Sequence, residues 1–359
     1  MDMSKKRDCN IELLRIVLMM MIILFHLIVH GCKLKTLSTN NYITTNKDFL
    51  YLGLLAFLSI GVNCFVFISG YYGIKFKIKT LISLTIQGTF YSVIIYSLMV
   101  FIFRIDQYNV KLFIKSFFPL SSTIWWFLNI YVGIYILSPV INKGIDVINK
   151  HQLILIIILL VYLEATYPIT GLNILSEDGL SFYSLLTIYI IGRFCKTNEI
   201  TINNALLKYS FAYIILFVAI YSAYFTKYQI LAWRITTYNS PFIIINSILF
   251  FYIFKNLSIR NLSIIYKIAP LTFGIYLIHD YPSCAYHLSK FTYSLSKISP
   301  SPLYTFIILV GLMISIFVSC AIVEYLRMKL CTPIVNSIDC NVEKSIPFLR
   351  KKIKQVLNL

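Results

Sequence analysis

Long apolar runs alternate with short polar segments along the whole chain. Ten of these runs have about 17 to 25 residues, the length that an α-helix needs to cross the apolar core of a bilayer. The pattern predicts an all-α integral membrane protein, a single bundle of about ten transmembrane helices. The predicted spans are residues 11–30, 50–72, 80–103, 124–142, 152–168, 180–195, 207–225, 238–255, 268–286 and 302–326.

The composition excludes a soluble fold. Hydrophobic residues make up 58% of the 359 residues, charged residues only 13%, and the mean hydropathy is +0.79. Soluble globular chains carry about a quarter charged residues. The net charge of +18 is spread over short clusters between the apolar runs. We therefore expect the lipid bilayer as a partner and no nucleic acid.

The basic clusters also predict the orientation. With ten spans both termini lie on the same side, and the segments on that side hold 21 of the 32 lysines and arginines, against 10 in the opposite loops. Positive charge is enriched in cytoplasmic loops, so both termini are predicted to be cytoplasmic. We expect one transmembrane domain over residues 1–326 and a basic cytoplasmic tail over 327–359. The tail is either a short amphipathic helix on the membrane surface or a solvated charged segment.

The first span, NIELLRIVLMMMIILFHLIVHG, contains two ionisable side chains, Arg15 and His26. A charge at the centre of a bilayer costs about 3 kcal/mol or more, so such residues usually serve a function. Eleven helical steps bring His26 to within about 20° of the face of Arg15 and roughly 16 Å further along the axis. One face therefore offers a cation and an imidazole. The alternatives are that Arg15 snorkels to the headgroups or pairs with Glu12, and that His26 makes an interhelical hydrogen bond.

Further ionisable residues lie near the ends of later spans. His279 and Asp280, at the predicted outer end of the ninth span, fall on the same side of the membrane as His26. A carboxylate beside His26 would fix its tautomer and raise its basicity. Glu164, near the outer end of the fifth span, is a second candidate for this position. Each of the three has the alternative of reaching interfacial water.

No metal site is expected. His30 follows His26 by four residues, but no acidic residue or further histidine on this segment completes a ligand set. The eight cysteines contain no C-x-x-C pair and no zinc spacing.

Four segments together resemble the bacterial acyltransferase 3 family of integral-membrane O-acyltransferases that modify surface glycans. These are the ten-residue spacing between Arg15 and His26, CFVFISGYY at Cys64 to Tyr72, WWFLNIYVGIYILSPVIN at Trp125 to Asn142, and FGIYLIHDYP at Phe273 to Pro282. The resemblance covers the whole chain. It implies a multi-pass protein of the bacterial cytoplasmic membrane that takes an acyl group from cytoplasmic acyl-coenzyme A, with no bound cofactor.

The resemblance also implies a donor site. Ser69 ends the second span, and the loop that follows carries lysines where the family often has arginines. Lysines attract phosphate as point charges without the bidentate grip of arginine. Glu324 resembles an acidic residue that the family keeps in the last span, followed here by Tyr325 in place of a frequent proline; it either orients Arg15 or pairs with Arg327. The expected donor-site residues are Arg15, Ser69, Lys75, Lys77, Lys79 and Glu324.

These observations predict a membrane O-acyltransferase, with an acetyl group the commonest choice, acting on a glycan or glycolipid. His26 is the expected general base, oriented by Asp280 or Glu164, and an acyl-histidine intermediate is left open. A glycolipid flippase or secondary transporter is one alternative, and a glycan polymerase is another. The sequence is compatible with a homo-oligomer but does not specify one.

Overall fold

The computed structural model describes residues 8–32, 45–171, 177–199, 202–226 and 229–356. Over these residues the chain forms α-helices, with short 3₁₀ and π turns, and no strand. The helices are α1 (Cys9–His26), α2 (Asn46–Leu58), α3 (Gly61–Tyr72), α4 (Ile78–Ser97), α5 (Val110–Ser116), α6 (Trp126–Val147), α7 (Lys150–Thr170), α8 (Phe182–Thr197), α9 (Ala205–Ala223), α10 (Gln229–Ile235), α11 (Pro241–Lys255), α12 (Ser263–Ile268), α13 (Thr272–His279), α14 (Pro282–Ile298) and α15 (Pro302–Val356).

Several of these helices can cross a membrane, so the chain is a multi-pass membrane protein. Within the described ranges, 6 helical segments are long and apolar enough to span, and Pro241–Lys255 and Ser263–His279 are shorter apolar helices. The predicted count of ten spans therefore stays a prediction. The six segments are Cys9–Gly31, Asn46–Tyr72, Ile78–Ile102, Trp126–Val147, Ala205–Ala223 and Pro302–Val342.

Helix α1 is enclosed by the rest of the bundle. It begins at an Asp8 cap, whose side chain accepts a hydrogen bond from the Asn10 backbone N–H. It packs against α2, α3, α11, α12, α13 and α15. Helix α9 lies at the surface of the bundle instead. Its large apolar side chains, such as Phe211, which is 68% exposed, face outward where lipid would lie. The ionisable groups of α1 are thus surrounded largely by protein.

The two ends of α1 mark the two ends of the bundle. At the end where α1 begins, called the Arg15 end, Tyr72 Oη lies 3.5 Å from Asp8 Oδ2, and Lys79 Nζ lies 3.6 Å from Asp339 Oδ2. At the opposite end, called the His26 end, Lys47 Nζ donates hydrogen bonds to backbone oxygens at the C-terminal end of α14. Which of the two ends faces the cytoplasm stays a prediction.

The ninth span differs from its predicted extent of residues 268–286. Helix α13 ends at His279, and a separate helix begins at Pro282. Tyr281, between them, has an extended backbone with φ −61° and ψ 133°. A proline disfavours helical geometry in the residue before it, so the chain cannot continue as one helix here. The break leaves Asp280 at the end of α13.

The last helix continues well beyond residue 326, the predicted end of the tenth span. Helix α15 runs without interruption to Val356. The side chains of residues 343–356 lie outside the described part of the chain. The amphipathic surface of the basic tail therefore stays a prediction.

Helices α3 and α8 cross with their backbones in close contact. A Cβ atom on Gly70 would lie 2.2 Å from the Tyr189 carbonyl oxygen, and one on Gly192 would lie 2.7 Å from the Phe67 carbonyl oxygen. Small residues allow membrane helices to approach in this way. The crossing holds Ser69, beside Gly70, in a fixed position.

Replacing Gly70 with alanine should destabilise the protein by about 1–3 kcal/mol, because the added methyl group meets backbone rather than a movable side chain. The midpoint of thermal unfolding of the purified protein in detergent measures the effect. Gly311→Ala is the matched control, since apart from its chain neighbours and the local backbone of its own helix no atom of the described residues lies within 4 Å of the position its Cβ would take. Equal midpoints for the two variants would contradict the close crossing.

Candidate active site

A large cavity of about 590 Å³ joins several of the predicted site residues. Arg15, Ser69 and Thr80 line its wall towards the Arg15 end, and His26 and Asp280 line it towards the His26 end. Aromatic side chains make up much of the remaining wall. They are Phe25, Phe65, Trp126, Phe127, Tyr131, Trp233, Tyr238, Phe273 and Tyr276.

Arg15 contributes a cationic group to this cavity. Its Nε atom is buried and has no hydrogen-bond partner among the described residues. Ser69, on α3, donates its hydroxyl hydrogen to the Phe65 carbonyl oxygen at 3.2 Å, which leaves its oxygen lone pairs available. A partly buried guanidinium beside an apolar cavity is suited to an anionic or strongly polar part of a ligand.

His26 lies beside a carboxylate at the other end of the cavity. Its Nδ1 atom is 3.5 Å from Asp280 Oδ1, and the two side chains are 22% and 21% exposed. A carboxylate at Nδ1 favours the tautomer that carries its proton there, so Nε2 keeps a lone pair. Such an imidazole can accept a proton from a hydroxyl group.

Two further histidines complete the cluster. The ring centroids of His26 and His279 are 5.3 Å apart, and those of His26 and His30 are 5.7 Å apart. His30 belongs to the π-helical turn Leu27–Gly31, which continues α1. His279 is 4% exposed, and its Nδ1 atom is 2.7 Å from the Ile275 carbonyl oxygen.

Local backbone features bring these side chains together. The π turn Leu27–Gly31 replaces the regular α-helical hydrogen-bond pattern at the end of α1, a feature that is common at functional sites. The break before Pro282 turns the chain immediately after Asp280, so His279 and Asp280 both lie at the His26 end. The sequence predicted the shared side of the membrane; the structure shows the contact.

Glu164 does not line the large cavity. It is 1% exposed, and its Oε2 atom accepts a hydrogen bond from Ser184 Oγ at 2.9 Å. The sequence left the carboxylate beside His26 open between Asp280 and Glu164, and in the structure it is Asp280. Glu164 instead joins α7 to α8 through Ser184.

Glu324 pairs with Arg327, the second of its two predicted alternatives. Arg327 Nε and one terminal nitrogen each lie 2.7 Å from a carboxylate oxygen. Gln87 Nε2 donates to the same carboxylate at 3.0 Å, and Tyr91 Oη donates at 2.5 Å. Glu324 is 1% exposed and does not line the large cavity, whereas Gln87 does. Glu324 therefore contacts the wall of the large cavity only indirectly, through its hydrogen bond with Gln87.

The three predicted donor-site lysines are exposed and stand outside the cavity wall. Lys75 and Lys77 lie in the loop between α3 and α4, and Lys79 lies in the first turn of α4. The loop is fixed by Tyr189 Oη, which accepts the Ile74 N–H, and by Tyr135 Oη, which accepts the Lys77 N–H. Thr80, directly after Lys79, lines the large cavity. Lys75, Lys77 and Lys79 thus lie near its Arg15 end.

Sequence reasoning missed Gln87 and the residues that surround the cavity from later helices. A signal for Gln87 existed, since an amide inside a predicted span is costly without a partner. Nothing in the sequence distinguishes Trp233 and Tyr238 from the many other aromatic residues.

A family model described as an acyltransferase domain matches residues 10–323. The match includes every predicted site residue except Glu324. The chain therefore belongs to the acyltransferase 3 family, which confirms the resemblance and the class of the protein as an acyltransferase. Among curated proteins and solved structures, nothing matches the chain.

Proposed function

We propose that this acyltransferase transfers an acyl group, most simply acetyl, from acyl-coenzyme A to a hydroxyl group of a surface or lipid-linked glycan. The bacterial cytoplasmic membrane is its proposed location. The observation that carries the proposal is the His26–Asp280 contact in the same cavity as Arg15. This arrangement offers a base at one end of a channel and a cation at the other.

The shape and charge of the cavity support acyl-coenzyme A as the donor. The exposed lysines of the loop after α3 lie near the Arg15 end and suit the phosphates of the nucleotide. The aromatic wall suits the thin pantetheine arm. Arg15 precedes His26 by roughly 16 Å along α1, a separation that an extended arm can bridge.

The chemistry follows from the position of His26. The Nε2 lone pair removes the proton from the acceptor hydroxyl as its oxygen attacks the thioester carbonyl carbon. The carbon–sulfur bond then breaks, and the proton passes to the departing sulfur, which leaves as free coenzyme A thiol. Asp280 stabilises the imidazolium that forms between these steps.

Substitutions of Arg15 test whether the Arg15 end of the large cavity binds the donor. In an assay of purified protein with acetyl-coenzyme A and glycan extracted from the producing cells, wild type should release free thiol and form glycan ester. Arg15→Ala should raise the KM for acetyl-coenzyme A by about 10- to 10²-fold, the value of a charge-assisted hydrogen bond of about 1.5–3 kcal/mol. Arg15→Lys should recover part of the loss, since the positive charge remains.

Arg260→Ala is the matched control, because Arg260 is an exposed arginine outside the cavity wall. An unchanged KM for Arg15→Ala would show that Arg15 only snorkels or pairs within α1. Wild type that neither releases thiol nor forms ester with acetyl- or succinyl-coenzyme A would contradict the proposed function itself.

A further inference from the structure

A second, small cavity of about 240 Å³ lies against the same histidine cluster. His26, His30 and Asp280 line both cavities, so they form a shared wall between them. The rest of the small cavity is lined by Leu27, His279 and one side of α14: Ala285, Tyr286, Leu288 and Ser289. His30 and Tyr286 are exposed, which places an opening at the His26 end.

Helix α14 covers the end of α1 and forms the outer wall of this cavity. Ser289 Oγ donates a hydrogen bond to the His30 carbonyl oxygen at 2.7 Å. Gly31 lies so close to α14 that a Cβ atom there would be 2.6 Å from Thr292 Cγ2. These contacts fix α14 over the π turn while leaving the space beside His26 unfilled.

His279, a lining residue of the small cavity, has a buried ring nitrogen that lacks a hydrogen-bond donor. Because the Ile275 carbonyl can only accept a hydrogen bond, the Nδ1 atom of His279 carries the proton in their 2.7 Å contact. Nε2 is then a lone-pair acceptor, and among the described residues it has no partner. A buried polar atom of this kind is normally satisfied, so a donor group bound against His279 would be stabilised there.

The remaining lining indicates which group that is. Asp280, Ser289 and the histidines offer hydrogen-bond acceptors, and no lysine or arginine of the described part of the chain lines the small cavity. An anionic ligand would find no cation among these lining residues, whereas a neutral hydroxyl compound could donate to His279 Nε2. The large cavity contrasts with this, because Arg15 lines it.

We infer that the small cavity is the acceptor site, which binds a neutral polyhydroxyl group such as a sugar residue, while the donor occupies the large cavity. The inference rests on the proposed function and adds where the acceptor binds. His279 Nε2 accepts a hydrogen bond from one acceptor hydroxyl and so positions a neighbouring hydroxyl at His26. Donor and acceptor then meet at the shared wall, and the hydroxyl oxygen bonds to the thioester carbon as the carbon–sulfur bond breaks.

The competing route for the acceptor is through the large cavity itself, where Trp126 and Tyr238 stack at 6.4 Å between ring centroids near His26. Aromatic rings of this kind can also hold a sugar. The experiment distinguishes the two routes by filling the small cavity and leaving the large one unchanged.

The filling variants are Ala285→Trp and, one turn of α14 later, Leu288→Trp. Ser294→Trp is the matched control, since Ser294 is exposed on the same helix and does not line the cavity. Cells without the chromosomal gene are complemented with each variant, and the acyl ester released by alkali from their envelope glycans is quantified. Each purified variant is then titrated calorimetrically with acetyl-coenzyme A, after gel filtration confirms that it elutes as wild type does.

Either filling variant should lower glycan ester by about 10²-fold, because the acceptor is displaced from the base. Its affinity for acetyl-coenzyme A should stay within about two-fold of wild type, since the donor cavity is unaltered. His279→Phe, which keeps a ring but removes the lone pair, should lower ester in the same way. Ser294→Trp should restore ester fully.

Wild-type levels of ester with Ala285→Trp and Leu288→Trp would overturn the acceptor site and assign acceptor binding to the large cavity. Loss of ester together with loss of acetyl-coenzyme A binding would overturn the separation of the two sites. If wild type itself restores no ester and does not bind acetyl-coenzyme A, the proposed function fails. Wild-type levels of ester with the two filling variants would leave the proposed function intact.

Discussion

Replacing His26 with glutamine should lower acyl transfer by about 10²- to 10⁴-fold, the usual contribution of a general base. Glutamine is polar and of similar length, but it cannot take a proton from the acceptor hydroxyl. The Arg15 end of the large cavity is untouched, so the variant should still bind acetyl-coenzyme A. Rates of ester formation and calorimetric donor binding, measured on the same preparation, check both halves of the expectation.

His151→Gln is the control for this variant, because His151 is exposed at the start of α7. It should transfer acyl groups at the wild-type rate. A His26→Gln rate within a few-fold of wild type would remove His26 from the mechanism. If His279→Gln were then the inactive variant, the mechanism would have to be rebuilt around α13, where Asp280 is the neighbour of His279 in the chain.

The sequence predicted the geometry of α1 well, since regular helical geometry converts the spacing of two residues into the direction of their side chains. Arg15 and His26 were expected on one face because of their separation along the chain, and both line the large cavity. Helices also occupy the positions of the predicted spans, because apolar length is a strong signal. The π turn that carries His30 changes that geometry locally, and nothing in its composition distinguished it.

The choice of partner for His26 needed the structure. Asp280 and Glu164 were both carboxylates near the same predicted side, and a sequence does not state which helices are adjacent. The break at Pro282 brings Asp280 to within 3.5 Å of His26, whereas Glu164 is hydrogen-bonded to Ser184. Proline offered a local signal for that break. The apolar run continues to residue 286, so the sequence analysis placed the end of the helix too late.

The hydrogen-bond network around Glu324 is a second case in which the sequence does not state which helices are adjacent. Its partners Gln87 and Tyr91 are distant from it in the sequence and come from α4. Only the i, i+3 neighbour Arg327 could be anticipated, since helix geometry places it alongside. Gly274 explains how α13 approaches so closely, because a Cβ atom there would lie 2.3 Å from Glu324 Oε2.

The largest expected loss of stability comes from breaking this network. Glu324 and Arg327 are 1% and 6% exposed, and both charges are satisfied mainly by each other. Glu324→Gln leaves the Arg327 guanidinium buried without a counter-ion, which typically costs about 3–5 kcal/mol. Thermal unfolding of the purified protein in detergent should show a correspondingly large fall in midpoint.

The double variant Glu324→Gln, Arg327→Met separates the ion pair from the packing around it. It removes both charges, so it should be markedly more stable than Glu324→Gln alone, and the difference measures the coupling between the two residues. Gln87 loses its carboxylate partner in both variants. If both variants show the same change in KM for acetyl-coenzyme A, the change comes from the displacement of Gln87 in the cavity wall and not from the unpaired charge of Arg327. A single variant as stable as wild type would mean that water or another group compensates Arg327, and the close packing of α4, α13 and α15 around this carboxylate would have to be reconsidered.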